Sequence, residues 1–202
     1  LTARTGRRER VLNIGLEPQA SLQAHGATAM PWTAQTAMEV AVLSQALYRA
    51  LRHELREKEN GIYRLRFQMT LNPATRQLES ELAFTADPLR MQALWARAQE
   101  VLAQPARYID ASQLASISSK LRSNEALRLQ DDASWFTRLQ LSWQQFGDAR
   151  YLQQVAGLSE GLTVDGVMNL AKRIDLRNDL ASVLVYPRPT DAASCTTEPC
   201  SP

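Results

Sequence analysis

Histidine is scarce in this sequence: His25 and His53 are the two present among 202 residues. A zinc site on one helix needs two histidines within a turn of each other, plus a carboxylate. His53-Glu54 begins such a pattern, but Glu57 stands where H-E-x-x-H would place its second histidine. His53 is therefore expected to be an exposed or half-buried helix residue. Neither histidine lies in a nucleophilic-triad context, and no Gly-rich phosphate loop occurs.

Cysteine is equally sparse. Cys195 and Cys200 both lie in the Ser/Thr/Pro-rich C-terminal stretch. Without further Cys or His nearby they make a poor structural zinc site, which takes four ligands. Two readings remain for the pair. One is a small disulfide loop, which implies an oxidising compartment such as the periplasm; the other is two free thiols on a flexible tail.

Long apolar runs are missing too. The least charged stretch, Gly26 to Tyr48, is interrupted by Pro31, Thr33, Gln35, Thr36, Glu39, Ser44 and Gln45, so no membrane span is expected. Charge of one sign is also lacking: the net formal charge is +2. That value gives no reason to expect a nucleic acid or an anionic membrane as partner. The Arg-rich opening (Arg4, Arg7, Arg8, Arg10) is broken by Glu9 and reads as a solvated edge. The first residue is Leu with no leader pattern, so the chain is expected to be processed or cut from something longer.

What is present suits one globular domain, at 45% apolar and 22% charged residues. Arg10 to Leu16 and Ser21 to Ala27 read as two strands joined by a tight turn at Glu17-Pro18-Gln19. Thr33 caps a helix to about Glu57, with Val40, Leu43, Leu47, Leu51 and Leu55 on one stripe. Gly61 is available for a left-handed cap at its end.

The clearest strand follows. Tyr63, Leu65, Phe67, Met69 and Leu71 share one face, and Arg64, Arg66, Gln68 and Thr70 the other. After the turn Asn72-Pro73-Ala74-Thr75, the segment Gln77 to Thr85 alternates again, setting Glu79 and Glu81 opposite the arginines. Asp87-Pro88 opens a helix carrying Leu89, Leu94, Trp95 and Leu102. Further helices run from Asp110 nearly to Arg173, and Leu180 to Tyr186 is a short final strand. The order ββαββα, several helices, then β predicts an α+β fold: a mainly antiparallel sheet with helices packed on one face. The expected division is an N-terminal extension or linker over 1–9, one domain over 10–189 and a flexible tail over 190–202.

The run Leu55-Arg56-Glu57-Lys58, with Tyr63 five positions after Lys58, resembles the L-R-E-K-x-x-x-x-Y segment of the pitrilysin/insulinase family of zinc proteases. So do Phe84-Thr85-Ala86-Asp87-Pro88 before a helix, Trp143-Gln144-Gln145-Phe146-Gly147-Asp148, the pattern from Leu158 to Val167, and the closing Tyr186-Pro187. The likeness runs from about Arg10 to Pro187 and is nearest to bacterial periplasmic members.

The resemblance implies a non-catalytic C-terminal domain that forms part of the wall of a substrate chamber. Zinc would be absent from this chain and bound on an H-x-x-E-H helix of another domain. The partners implied are a peptide or protein substrate and the N-terminal catalytic domains of the same polypeptide, or a homologous subunit. The location implied is the bacterial periplasm. In some members an Arg and a Tyr at this spacing reach toward the bound peptide, a role that would fall to Arg56 and Tyr63. The chain alone is expected to lack peptidase activity. The alternative is a catalytically inactive homologue serving as scaffold or binding partner of an active subunit. Taken by themselves, Arg56 at a helix C-terminus also suits the helix dipole, and Tyr63 shares its predicted face with core residues.

Overall fold

The computed structural model describes residues 6–58, 61–158, 161–178 and 180–189. Cys195 and Cys200 lie outside the described residues, and both readings of that pair with them.

Five strands among the described residues form one sheet: β1 Arg8–Gly15, β2 Ala20–Ala29, β3 Ile62–Asn72, β4 Gln77–Ala86 and β5 Leu180–Pro187. Among the described residues, six α-helices accompany it: α1 Ala34–Arg52, α2 Met91–Ala103, α3 Ala111–Arg128, α4 Asp132–Phe146, α5 Arg150–Leu158 and α6 Val164–Arg173. The spatial order is β1-β5-β2-β4-β3. β1 runs parallel to β5, and every other neighbouring pair is antiparallel. The α+β architecture expected from the sequence is therefore present.

One early expectation fails. β1 and β2 do not pair with each other, because β5 lies between them. The physical reason is burial. β5 carries Leu180, Ser182 and Leu184 inward and suits a central position, whereas Arg8, Glu9 and Arg10 of β1 are tolerated at an edge.

The sheet buries one face. In β2, Ala20, Leu22 and Ala24 are buried while Gln23 and His25 are exposed, which is the period-two signature of a half-covered sheet. α1 lies against β3 and α2 against β2. Thr33 caps α1, its hydroxyl oxygen accepting from the Thr36 N–H at 3.0 Å. The predicted stripe Val40, Leu43, Leu47, Leu51 and Leu55 is buried throughout. Each fully buried leucine stabilises the fold by roughly 1.5–3 kcal/mol.

The second helix starts later than the sequence suggests. Asp87 to Arg90 form a turn, in which the Asp87 carboxylate accepts from the Leu89 N–H at 2.8 Å, and α2 begins at Met91. Leu89 is left 94% exposed, outside the core it was expected to join. Leu94, Trp95 and Leu102 do enter that core.

Candidate functional site

Past Arg52 the helical ladder widens. His53–Lys58 form a π-helical turn, a geometry found mostly as short insertions and often at functional sites. Within it Glu54 and Leu55 point inward and Arg56 outward. Glu54 is only 4% exposed and needs a counter-charge. Arg97 of α2 supplies it, donating from Nε at 3.0 Å and from Nη2 at 2.5 Å to one carboxylate oxygen. The same guanidinium donates to Glu100 at 2.5 Å and lies 5.5 Å from the Tyr108 ring centroid. Its pKa is pushed above the ordinary arginine value, first by the Glu54 hydrogen bond and then by that to Glu100. Arg97 thus stays charged and ties the π turn to α2.

The chain then re-enters the sheet. The Gly61 N–H donates to the Leu55 carbonyl at 3.3 Å, holding the residue before Arg56 close to the start of β3. Gly61 does not serve as a left-handed cap; the described glycines with positive φ are Gly6 and Gly147. Its lack of a side chain matters for a different reason, its closeness to Leu94.

β3 opens with a bulge. Ile62 pairs with Ala86 and Arg64 with Thr85, so Tyr63 is an extra residue with no partner on β4. Strict alternation would have put Tyr63 on the face of Phe67, Met69 and Leu71, which are buried. The bulge breaks that parity: Ile62 is buried and Tyr63 is 58% exposed. The expectation that Tyr63 shares the core face is therefore corrected. Among the described residues, no hydrogen-bond or ion-pair partner stands beside Arg56 or Tyr63. The result is an exposed guanidinium and an exposed phenol on two segments joined by the Leu55–Gly61 hydrogen bond. Both are donors suited to peptide carbonyl oxygens.

The histidines do not meet. His25 projects from the middle of β2 and His53 lies at the end of α1, both exposed. No group of three His, Cys, Asp or Glu side chains able to hold a metal occurs among the described residues. No helix among those residues is long and apolar enough to cross a membrane.

Several solved structures with this architecture are described as proteases or peptidases. One is a mutant of the ferredoxin protease FusC in complex with Arabidopsis ferredoxin: TM-score 0.86, 26% identity, 92% of this chain and 21% of that one covered. The chain shares the fold of these M16-like peptidase domains. The periplasmic protease PqqL from Escherichia coli aligns with TM-score 0.78 at 19% identity, over 92% of this chain and 21% of its own. An M16 peptidase inactive domain from Pseudomonas fluorescens aligns with TM-score 0.65 at 16% identity, over 89% and 43%. The chain thus spans about a fifth of the length of the FusC and PqqL chains. No protein-family model matches the sequence, and no curated protein does.

Two features of this chain escape sequence reasoning. The bulge at Tyr63 and the π turn carry no local marker, since Ile62, Tyr63 and Arg64 are all ordinary strand residues. The third unforeseen feature was visible in outline: Trp135, Phe136, Leu139, Trp143 and Phe146 recur at helical spacing, a pattern that ordinarily means core. The structure leaves all five exposed.

Proposed function

We propose that this chain is the non-catalytic substrate-chamber domain of a zinc-dependent metalloendopeptidase, contributing wall and peptide contacts while another domain binds zinc. The observation that carries the reading is the bulge, which turns Tyr63 out of the core. A tyrosine that served only packing would have stayed in register with Phe67. Arg56 grips a peptide carbonyl through its planar fork, and the Tyr63 phenol donates to negative charge developing on the attacked carbonyl oxygen. The likeness to the proteases FusC and PqqL supports a peptidase context, and the description of PqqL as periplasmic supports that compartment here.

The test is made in the longer polypeptide that carries this domain. Arg56→Ala and Tyr63→Phe are each expected to lower kcat/KM for peptide cleavage by about 10- to 1000-fold, the range for loss of one transition-state donor. The melting temperature is expected to stay unchanged. Wild-type turnover in both variants would overturn the assignment of the pair.

A second reading has its own support, because the Pseudomonas fluorescens neighbour is described as an inactive domain. In that reading the chain belongs to an inactive homologue that scaffolds an active subunit. Zinc content separates the two: a longer polypeptide that binds no zinc and cuts no peptide favours the scaffold.

A further inference from the structure

The two arginines of β3 do not stand opposite the glutamates expected to face them. The register sets Arg64 against Thr85 and Arg66 against Ala83, while Glu81 stands opposite Gln68 and Glu79 opposite Thr70. Arg66 still reaches Glu81 diagonally, at 3.5 Å. Arg64 is exposed and has no hydrogen-bond or ion-pair partner among the described residues. Both guanidiniums belong to one face of one strand, two residues apart, where like charges repel.

Beside them the sheet is hollow. A trough of about 490 Å³ is lined by Arg64 and Arg66 of β3, Ala83 and Thr85 of β4, and Ser21 and Gln23 of β2. The cross-strand rows Arg64–Thr85–Ser21 and Arg66–Ala83–Gln23 put these side chains on the face away from the buried Leu22, Leu82 and Phe84. Ser21, Ala83 and Thr85 are small, which leaves room over the middle of the trough. No acidic side chain among the described residues lines it. The Thr85 hydroxyl is buried there with no hydrogen-bond partner among the described residues, and a group in that state gains by pairing. Tyr63, the exposed bulge residue, directly precedes Arg64, so β3 leads from the proposed peptide contact straight into the trough.

We infer that this trough takes the carboxylate side chain of an acidic peptide, with Arg64 as its principal contact. The inference deepens the chamber reading proposed above and rests on it for the peptide. Charge decides the class of side chain. A carboxylate beside Arg64 and Arg66 relieves their repulsion and meets a planar fork that can hold both of its oxygens. A basic side chain would add a third like charge to the same face. An apolar one would leave the Arg64 charge without a counter-ion.

The test measures binding rather than turnover, in the longer polypeptide that carries this domain. Fluorescence anisotropy is read with three labelled peptides, of alternating Glu and Ala, Gln and Ala, and Lys and Ala. At low salt the Glu peptide is expected to bind about 5- to 10-fold tighter than its Gln twin, the scale of one charge-assisted contact at an exposed site. That margin is expected to shrink as salt screens it. Arg64→Gln is expected to abolish the margin, and Arg64→Glu to make the Lys peptide the tightest binder. Arg76→Gln removes the same charge in the β3–β4 turn, outside the trough, and is expected to leave the margin intact. Equal wild-type affinity for the Glu and Gln peptides, or no measurable affinity for either, would overturn the proposal. Equal losses in Arg64→Gln and Arg76→Gln would also overturn it and assign the preference to the general field of the chain. Failure of the chamber reading is seen separately, as unchanged peptide turnover in the Arg56 and Tyr63 variants.

Discussion

A methyl group on Gly61 would stand 2.8 Å from Cδ1 and 2.9 Å from Cδ2 of Leu94. Leu94 is only 1% exposed, so its side chain has little room to retreat. The backbone at Gly61, just before β3, therefore lies flush on α2. That close approach lets the Gly61 N–H reach the Leu55 carbonyl, and it sets where Arg56 and Tyr63 emerge.

Gly61→Ala is accordingly expected to destabilise the domain by about 1–3 kcal/mol, the usual result of overpacking a filled core. Urea denaturation measures it. The cause is identified by a second change: combined with Leu94→Ala, the glycine substitution is expected to cost far less than it does alone. Strictly additive losses would show that the Gly61–Leu94 approach is not what the methyl disturbs.

Much of this architecture could be read from residue periodicity. The α1 stripe from Val40 to Leu55 and the alternation of β3 and β4 are local patterns, each written within one segment. The cap at Thr33 is local too, since the chemistry that satisfies a helix N-terminus lies within three residues of it. What failed was non-local. Whether β1 pairs with β2 depends on β5, more than 150 residues further on, and nothing near Glu17-Pro18-Gln19 reports it. The candidate site was legible as a pair through family resemblance, but its orientation was not. One extra residue at the start of β3 reverses the face on which Tyr63 lies, and alternation cannot register an insertion of one.

The Arg97–Glu54 pair offers a stability test near the site. Glu54 is buried, and removing the guanidinium leaves its carboxylate without that counter-charge. Full burial of both partners would set the loss at about 3–5 kcal/mol. The Arg97 side chain is 32% exposed, so water screens part of the pair and about 2 kcal/mol is expected for Arg97→Ala. Arg97→Lys keeps the charge but not the fork and is expected to fall in between. A change in denaturation midpoint indistinguishable from wild type would mean that packing, not this ion pair, holds the π turn against α2.

Acid should reach the helical layer through its caps. Asp131 accepts from the Ser134 hydroxyl at 2.7 Å and from the Ser134 N–H at 2.8 Å, and these bonds hold its pKa below the ordinary 3.8. Asp110 is lowered in the same way by Ser112, through its side chain first and its N–H second. For a carboxylate whose folded value is depressed, the stabilising contribution is complete above the unfolded pKa. It is lost as pH falls through the folded value, so the window here lies below 3.8. Asn caps a helix about as well as Asp but does not titrate. Asp131→Asn is therefore expected to leave stability at pH 7 almost unchanged while flattening its fall at acid pH. Thermal melts across that range measure the slope, and an equally steep acid loss in the variant would remove Asp131 as a contributor.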